Sequence, residues 1–113
     1  MYEENCVVYT GTHDNDTTQG WYNSLSYSDR EQVKRYLNNY DDAGVVWNLI
    51  RLAHSSIAKY SIIPMQDYLC LDSSARINTP GVSSGNWMFR IKDNALSDEL
   101  ANSIAQVTEH YGR

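Results

Sequence analysis

The stretch CVVYTGTHDNDTTQGW, residues 6–21, runs from β-branched and aromatic residues into a glycine and then sets one His, two Asp and one Asn in four consecutive positions. Cys6-Val7-Val8-Tyr9-Thr10 reads as a short buried strand closed by a turn at Gly11. The cluster His13-Asp14-Asn15-Asp16 then falls at the C-terminal end of a strand, where β/α architectures gather their ligands and catalytic groups. A metal loop is a poor reading, because adjacent residues rarely converge on one ion and the spacing fits neither an EF-hand nor a zinc site. On these grounds alone a plain polar turn, for which Asp and Asn are common residues, explains the cluster as well as a reactive centre does.

Outward from this stretch the period changes. Ser28 followed three residues later by Glu31 has the spacing of a capping box, and Val33, Tyr36 and Leu37 continue at helical intervals, which predicts a helix over 29–39 ending at Asn38-Asn39. Val45, Val46, Leu49, Ile50, Leu52, Ala53 and Ile57 are too densely apolar for one thin stripe. They predict a second helix, over 43–60, buried on more than one side. Ser61-Ile62-Ile63 is the next strand, cut off by Pro64, and Gln66-Asp67-Tyr68-Leu69 opens a short turn or helix whose polar residues either reach a cleft or cap the turn.

Residues 73–90 have no period, contain Pro80, Gly81 and Gly85, and are longer than most connections in a compact domain. A last helix begins after an N-cap at Ser97, carries Asp98 and Glu99 in its first turn, runs through Leu100, Ile104 and Val107, and stops at Gly112. Strands alternating with helices imply parallel βαβ units and an α/β fold. Only two strands are visible, whereas parallel strands are normally buried in larger sheets. The chain reads as part of something larger.

Composition sets the outer limits. A chain of 113 residues, 42% hydrophobic and 20% charged, is one ordinary soluble domain. Its formal charge of -5, with no run of like charges, makes nucleic acid a poor partner. Cys6 and Cys70 both sit in apolar stretches, as small buried hydrophobes do in a reducing cytoplasm. Met1 to Asn5 carry neither a basic head nor a long apolar segment, so neither a signal peptide nor a membrane span is expected there. Nine Tyr and three Trp against a single Phe suit half-buried walls, for which sugar stacking and a wet protein interface are alternatives that composition leaves open.

Four stretches, YTGTHDNDT with Gln19-Gly20-Trp21, then PMQDYL, then RINTPG, then NWMFR, closely resemble in this order the C-terminal part of amylomaltase, the 4-alpha-glucanotransferase of bacterial maltodextrin metabolism. The resemblance spans residues 8–90. It implies a retaining α-glucan transferase on a (β/α)8 barrel related to the α-amylase superfamily. Three acidic residues work there: a nucleophile, a general acid/base and a carboxylate that holds sugar hydroxyls in the transition state. Of these only the third, in the His-Asp pair of THDND, matches positions here, as His13 and Asp14. Asn78 of NTPG matches a residue at the rim of the sugar cleft, and Asn15 is the other substrate-binding candidate. Trp87 and Arg90 read as residues that pack and pin the loop, with Trp87 in a small core beside Met88 and Phe89.

The fold so implied is α/β, the C-terminal two β/α units of a (β/α)8 barrel over residues 1–113, incomplete as an isolated chain, since a barrel needs about 250 residues. Retaining transfer needs two carboxyl groups about 5 Å apart flanking the bond. Neighbours in one loop, such as Asp14 and Asp16, lie on one side of a sugar and cannot supply both. The chain is therefore expected to be inactive alone, to need no metal or cofactor, to meet maltodextrin or another α-1,4-glucan only in the full-length enzyme, and to form a homo-oligomer when isolated. The alternative is a small free-standing domain for carbohydrate binding or subunit interaction.

Overall fold

The structure, a computed structural model, describes residues 5–113; Met1 to Glu4, on which the N-terminal expectation rests, lie outside the described residues. Strand β1 (Val7–Tyr9) leads through helices α1 (Thr18–Ser24), α2 (Tyr27–Tyr36) and α3 (Val45–His54) to strand β2 (Tyr60–Ile62). Helices α4 (Met65–Tyr68) and α5 (Asp98–His110) follow, with short 3-10 turns at Asp42–Gly44 and Ser73–Ala75. The strands pair in parallel, Val7 with Tyr60, Val8 with Ser61 and Tyr9 with Ile62, so the expected βαβ unit is present. Its crossover contains three helices rather than two.

Helix α1 was not expected. Thr17 caps it by accepting the Gly20 N–H on its hydroxyl at 3.0 Å, and Tyr22 carries its buried face into the core. The glycine at its centre argues against a helix on propensity, but a Cβ there would stand 2.6 and 2.8 Å from the Asp16 carboxylate oxygens and closer still to Ser73 Oγ. Close approach, not flexibility, requires Gly20.

Helix α2 starts one turn fraction earlier than the spacing predicted. Ser26, not Ser28, is the cap, accepting the Asp29 N–H at 3.2 Å, while Glu31 pairs with Lys34 at 2.8 Å instead of closing a box. Its end is a Schellman arrangement: Asn38 takes φ +52, with Asn39 N–H donating to Lys34 O and Asn38 N–H to Arg35 O.

The predicted helix over 43–60 divides. Val45, Val46, Ile50 and Ala53 of α3 are buried as expected, but the helix stops at His54. Ser55 Oγ turns back on Leu52 O and Ser56 Oγ accepts the Ala58 N–H, local bonds that compete with helix continuation. Arg113 takes up the released carbonyls, its guanidinium donating to the oxygens of His54, Ser56 and Ala58 at 2.9–3.0 Å. The chain is thereby free to extend at Tyr60. Ala58, not Ile57, is the buried apolar residue of this link.

Strand β1 is not the buried strand its residues implied. Val7 and Tyr9, opposite Tyr60 and Ile62, form an apolar face that is about half exposed in all four, because a two-stranded sheet covers one side only. The cysteines are part-buried rather than fully so. Helix α5, capped by Ser97 on the Leu100 N–H and carrying Val107 into the core, matches its sequence signals. Among the described residues no helix is long and apolar enough to cross a membrane.

His54 makes the core sensitive to pH. Its ring lies buried, with Nδ1 2.8 Å from Ser61 Oγ, Nε2 3.4 Å from Tyr68 Oη and the Tyr111 ring across its face. Burial first, and the Arg113 charge second, lower its pKa below the ordinary 6.5. The unfolded chain then binds the proton more readily than the folded one. The stabilising contribution is present above the unfolded value and is lost as pH falls through 6.5 toward the folded one. We expect thermal melts to fall between pH 7.5 and pH 5 at ~0.1 M salt, and His54→Gln to flatten that slope. An equal slope in both proteins would assign it to other groups.

Candidate active site

The loop after β1 is shaped by its own side chains. Asn15 Oδ1 accepts the N–H and the hydroxyl of Thr12 at 2.8 and 3.0 Å, while the Asn15 N–H donates back to Thr12 O at 3.1 Å. Asp16 is engaged elsewhere, its oxygens taking the Thr17 N–H and the Ser73 hydroxyl, each at 2.8 Å. These bonds tie Asn15 to Thr12 and Asp16 to Thr17 and Ser73, and leave the His13 and Asp14 side chains each 52% exposed at the crest.

Both flanks of the loop are held by one buried carboxylate. Asp67, 2% exposed at the start of α4, accepts from Thr10 Oγ1 at 2.5 Å, from Thr18 Oγ1 at 2.7 Å and from the Thr18 N–H at 2.9 Å. Of the two roles open to it from the sequence, its bonds run to the loop flanks rather than to a cap of its own turn, and it also lines the small cavity behind the loop. Gln66 is also buried and donates to Ala75 O at 3.4 Å.

The distant stretch RINTPG closes on the same crest. Asn78 Nδ2 donates to Asp14 Oδ1 at 2.6 Å, its backbone N–H donates to His13 O at 3.1 Å, and Arg76 links Asp14 O (2.7 Å) to Asn78 O (2.9 Å). Thr79-Pro80-Gly81-Val82 forms the turn that Pro and Gly in sequence demand, with Gly81 at φ +83 and the Val82 N–H on Thr79 O. Beyond it, Asn86 bridges the Thr79 N–H and Val82 O. His13 Nε2 lies 3.4 Å from Asp14 Oδ1.

Three of the four residues singled out in sequence, His13, Asp14 and Asn78, therefore meet directly. Asn15 lies beside them with its carbonyl oxygen committed to Thr12. Trp87 is not a core residue: it is 63% exposed, Met88 is 75% exposed, and the indole lies against His13 with ring centroids 5.0 Å apart. Arg76 has no role in the sequence reading, and Asp67 only that of a cleft or cap residue. What finds them is their long-range bonding to the loop, which no spacing along the chain reveals.

Behind the loop a cavity of about 100 Å³ is lined by His13, Asn15, Asp16, Asp67 and Arg76. A larger groove of about 800 Å³ runs along Tyr9, Trp21, Tyr36, Leu49, Leu52 and Ile57, meets the loop at Thr10, Asn15, Asp16 and Thr18, and is not lined by His13, Asp14 or Asn78. The apolar groove and the polar crest are thus separate features. Among the described residues no three His, Cys, Asp or Glu side chains converge as a metal site requires.

A family model described as 4-alpha-glucanotransferase matches residues 1–97. The chain belongs to the 4-alpha-glucanotransferase family. It is 49% identical over 109 residues to the 4-alpha-glucanotransferase of Synechocystis sp., covering 96% of this chain and 22% of that protein. It is 47% identical over 113 residues to the 4-alpha-glucanotransferase of Clostridium butyricum, covering 99% of this chain and 23% of that protein. The chain thus spans about a fifth of the length of these curated relatives. In structure it superimposes on amylomaltase from Streptococcus agalactiae in complex with acarbose, with a TM-score of 0.91, 27% identity, and 99% of this chain aligned to 23% of that one. The family resemblance read from the four stretches is borne out.

Proposed function

We propose that this chain supplies the transition-state-stabilising part of a retaining 4-alpha-glucanotransferase, within two β/α units of a (β/α)8 barrel that residues 1–113 share with a longer protein. The single observation behind the reading is the placement of Asp14. Its carboxylate stands half exposed at the crest of a loop after a strand, with Oδ1 held by Asn78 and His13 beside it. Among the described residues no donor reaches Oδ2. In an oxocarbenium-like transition state the sugar hydroxyls next to the reacting carbon become stronger donors, and a fixed carboxylate that accepts from them is stabilising where charge develops. Asp14 is the acceptor, His13 donates from its ring, and Asn78 and Asn15 contact the glucan at the rim.

The nucleophile and the acid/base fall to other segments. Asp16 does not serve as Asp14's catalytic partner, since its oxygens are engaged by the Thr17 N–H and the Ser73 hydroxyl. The 113-residue chain alone should therefore release no glucose from maltotriose. The reading is tested by exchanging the matched segment of the Synechocystis enzyme for this chain: transfer between maltotriose molecules supports it. Maltodextrin binding by the chain alone, with no activity after the exchange, favours a free-standing carbohydrate-binding module instead. The cysteines, set in apolar stretches, fit a reducing cytoplasm.

We also infer self-association of the isolated chain. Val7, Tyr9, Tyr60 and Ile62 present a registered apolar face with two open strand edges, continuous in kind with the groove at Tyr9 and Leu52. A small chain covers such a face most simply with a copy of itself. Sedimentation at micromolar concentration should give a dimer; a cooperatively melting monomer would sink this inference.

A further inference from the structure

We propose that Trp87 is the positioning residue of His13 in glucan transfer, an inference that rests on the function proposed above. Trp87 breaks two rules at once. A bulky side chain of 63% exposure gains little from burial, and its backbone sits at φ +62, a conformation that non-glycine residues rarely adopt. Strain of this kind persists only where the surroundings impose it. Here the Trp87 N–H donates to Ile77 O at 2.6 Å, and Asn86 ties the same loop across Thr79 and Val82.

What this arrangement achieves is the placement of the indole against the His13 imidazole, at 5.0 Å between centroids and a tilt of 33°. The same loop holds the His13 backbone, through the Asn78 N–H on His13 O. An imidazole at the exposed crest of a turn has its second side-chain torsion broadly free. With the indole against it and Asp14 Oδ1 3.4 Å from Nε2, the ring is confined beside the carboxylate that would accept from the sugar hydroxyls. Preorganised donors need no rearrangement when charge develops, so their orientation acts on kcat rather than on substrate affinity.

Two measurements separate this from the glucan reading. In the 113-residue chain, the ring-proton resonances of His13, identified by their loss in His13→Gln, should lie upfield from the indole ring current. Trp87→Ala should return them toward unstructured positions, and Trp87→Phe should keep much of the shift. In the exchanged enzyme, Trp87→Ala should lower kcat about tenfold with KM within twofold, and Trp87→Phe should recover most of it, on the scale by which small misplacements slow enzymes. Resonances indifferent to Trp87→Ala would overturn the contact. An unchanged kcat, or a raised KM at constant kcat, would overturn positioning and make the indole at most a substrate wall. If Asp14→Asn and His13→Gln also left kcat unchanged, the glucan reading itself would fall, while the ring-current shift would still report the contact.

Discussion

In the exchanged enzyme, Asp14→Asn is expected to lower kcat for maltotriose disproportionation by about a thousandfold, equivalent to about 4 kcal/mol, while KM stays within about threefold. Asparagine matches aspartate in shape, and its carbonyl oxygen still accepts from Asn78 Nδ2, which binds Asp14 Oδ1 at 2.6 Å. The loop fold should persist as well, since Asn15 and Asp16 hold it through Thr12, Thr17 and Ser73. What disappears is the negative charge and one acceptor facing the sugar. In the ground state the glucan hydroxyls are neutral and weakly demanding, and binding is distributed along several glucose units. In the transition state the ring carries positive charge and its hydroxyl protons are more acidic, so the missing charge is felt there. The loss should appear equally in kcat and in kcat/KM. A kcat within twofold of the parent, under 1 kcat-decade and well below about 1 kcal/mol, would remove Asp14 from the stabilising role and leave it a turn residue.

The parts legible in the sequence were those whose signals are local. Ser97 before Asp98 and Glu99 marks the start of α5 because the cap, the acidic first turn and the apolar stripe all lie within one segment. Thr79-Pro80-Gly81-Val82 is equally self-contained, its geometry dictated by one fixed and one left-handed φ. The strand-to-loop transition at Thr10-Gly11 placed His13 and Asp14 correctly for the same reason. Helix α1 stayed hidden because Gly20 opposes it on propensity, and the reason for the glycine, Ser73 and Asp16 pressed against it, lies 53 residues away in part. The stop of α3 at His54 depends on Arg113, 59 residues distant, accepting no role that periodicity could register. Trp87 was misread because NWMFR looks apolar, whereas its exposure and its contact with His13 follow from how residues 77–87 close on themselves. The position of the motif-bearing loop was readable; its supports, being long-range, were not.

Asp67→Ala should cost about 3 kcal/mol of stability, a large share of the few kcal/mol that hold a chain of this size together. Asp67 is 2% exposed and takes three donors, the hydroxyls of Thr10 and Thr18 and the Thr18 N–H. Alanine leaves all three without the acceptor and opens a space where the carboxylate stood. Thr18 is itself buried, so water does not readily replace the lost bonds there. The melting temperature should fall by about 10 °C or more, read at one fixed protein concentration because self-association would otherwise move the midpoint. Asp67→Asn should cost less, since its oxygen still accepts, although its NH2 group must face one of the donors. The consequence for the site follows from position: Thr10 and Thr18 are the two ends of the loop that carries His13 and Asp14, and the Asp67 carboxylate ties both. Amide exchange at Thr18 should therefore quicken in Asp67→Asn before global unfolding does, and the exchanged enzyme bearing that substitution should lose kcat while still folded. An Asp67→Ala variant within about 0.5 kcal/mol of the parent would show that water or a neighbouring acceptor satisfies Thr10 and Thr18, and that the loop is held by Asn78 and Arg76 instead.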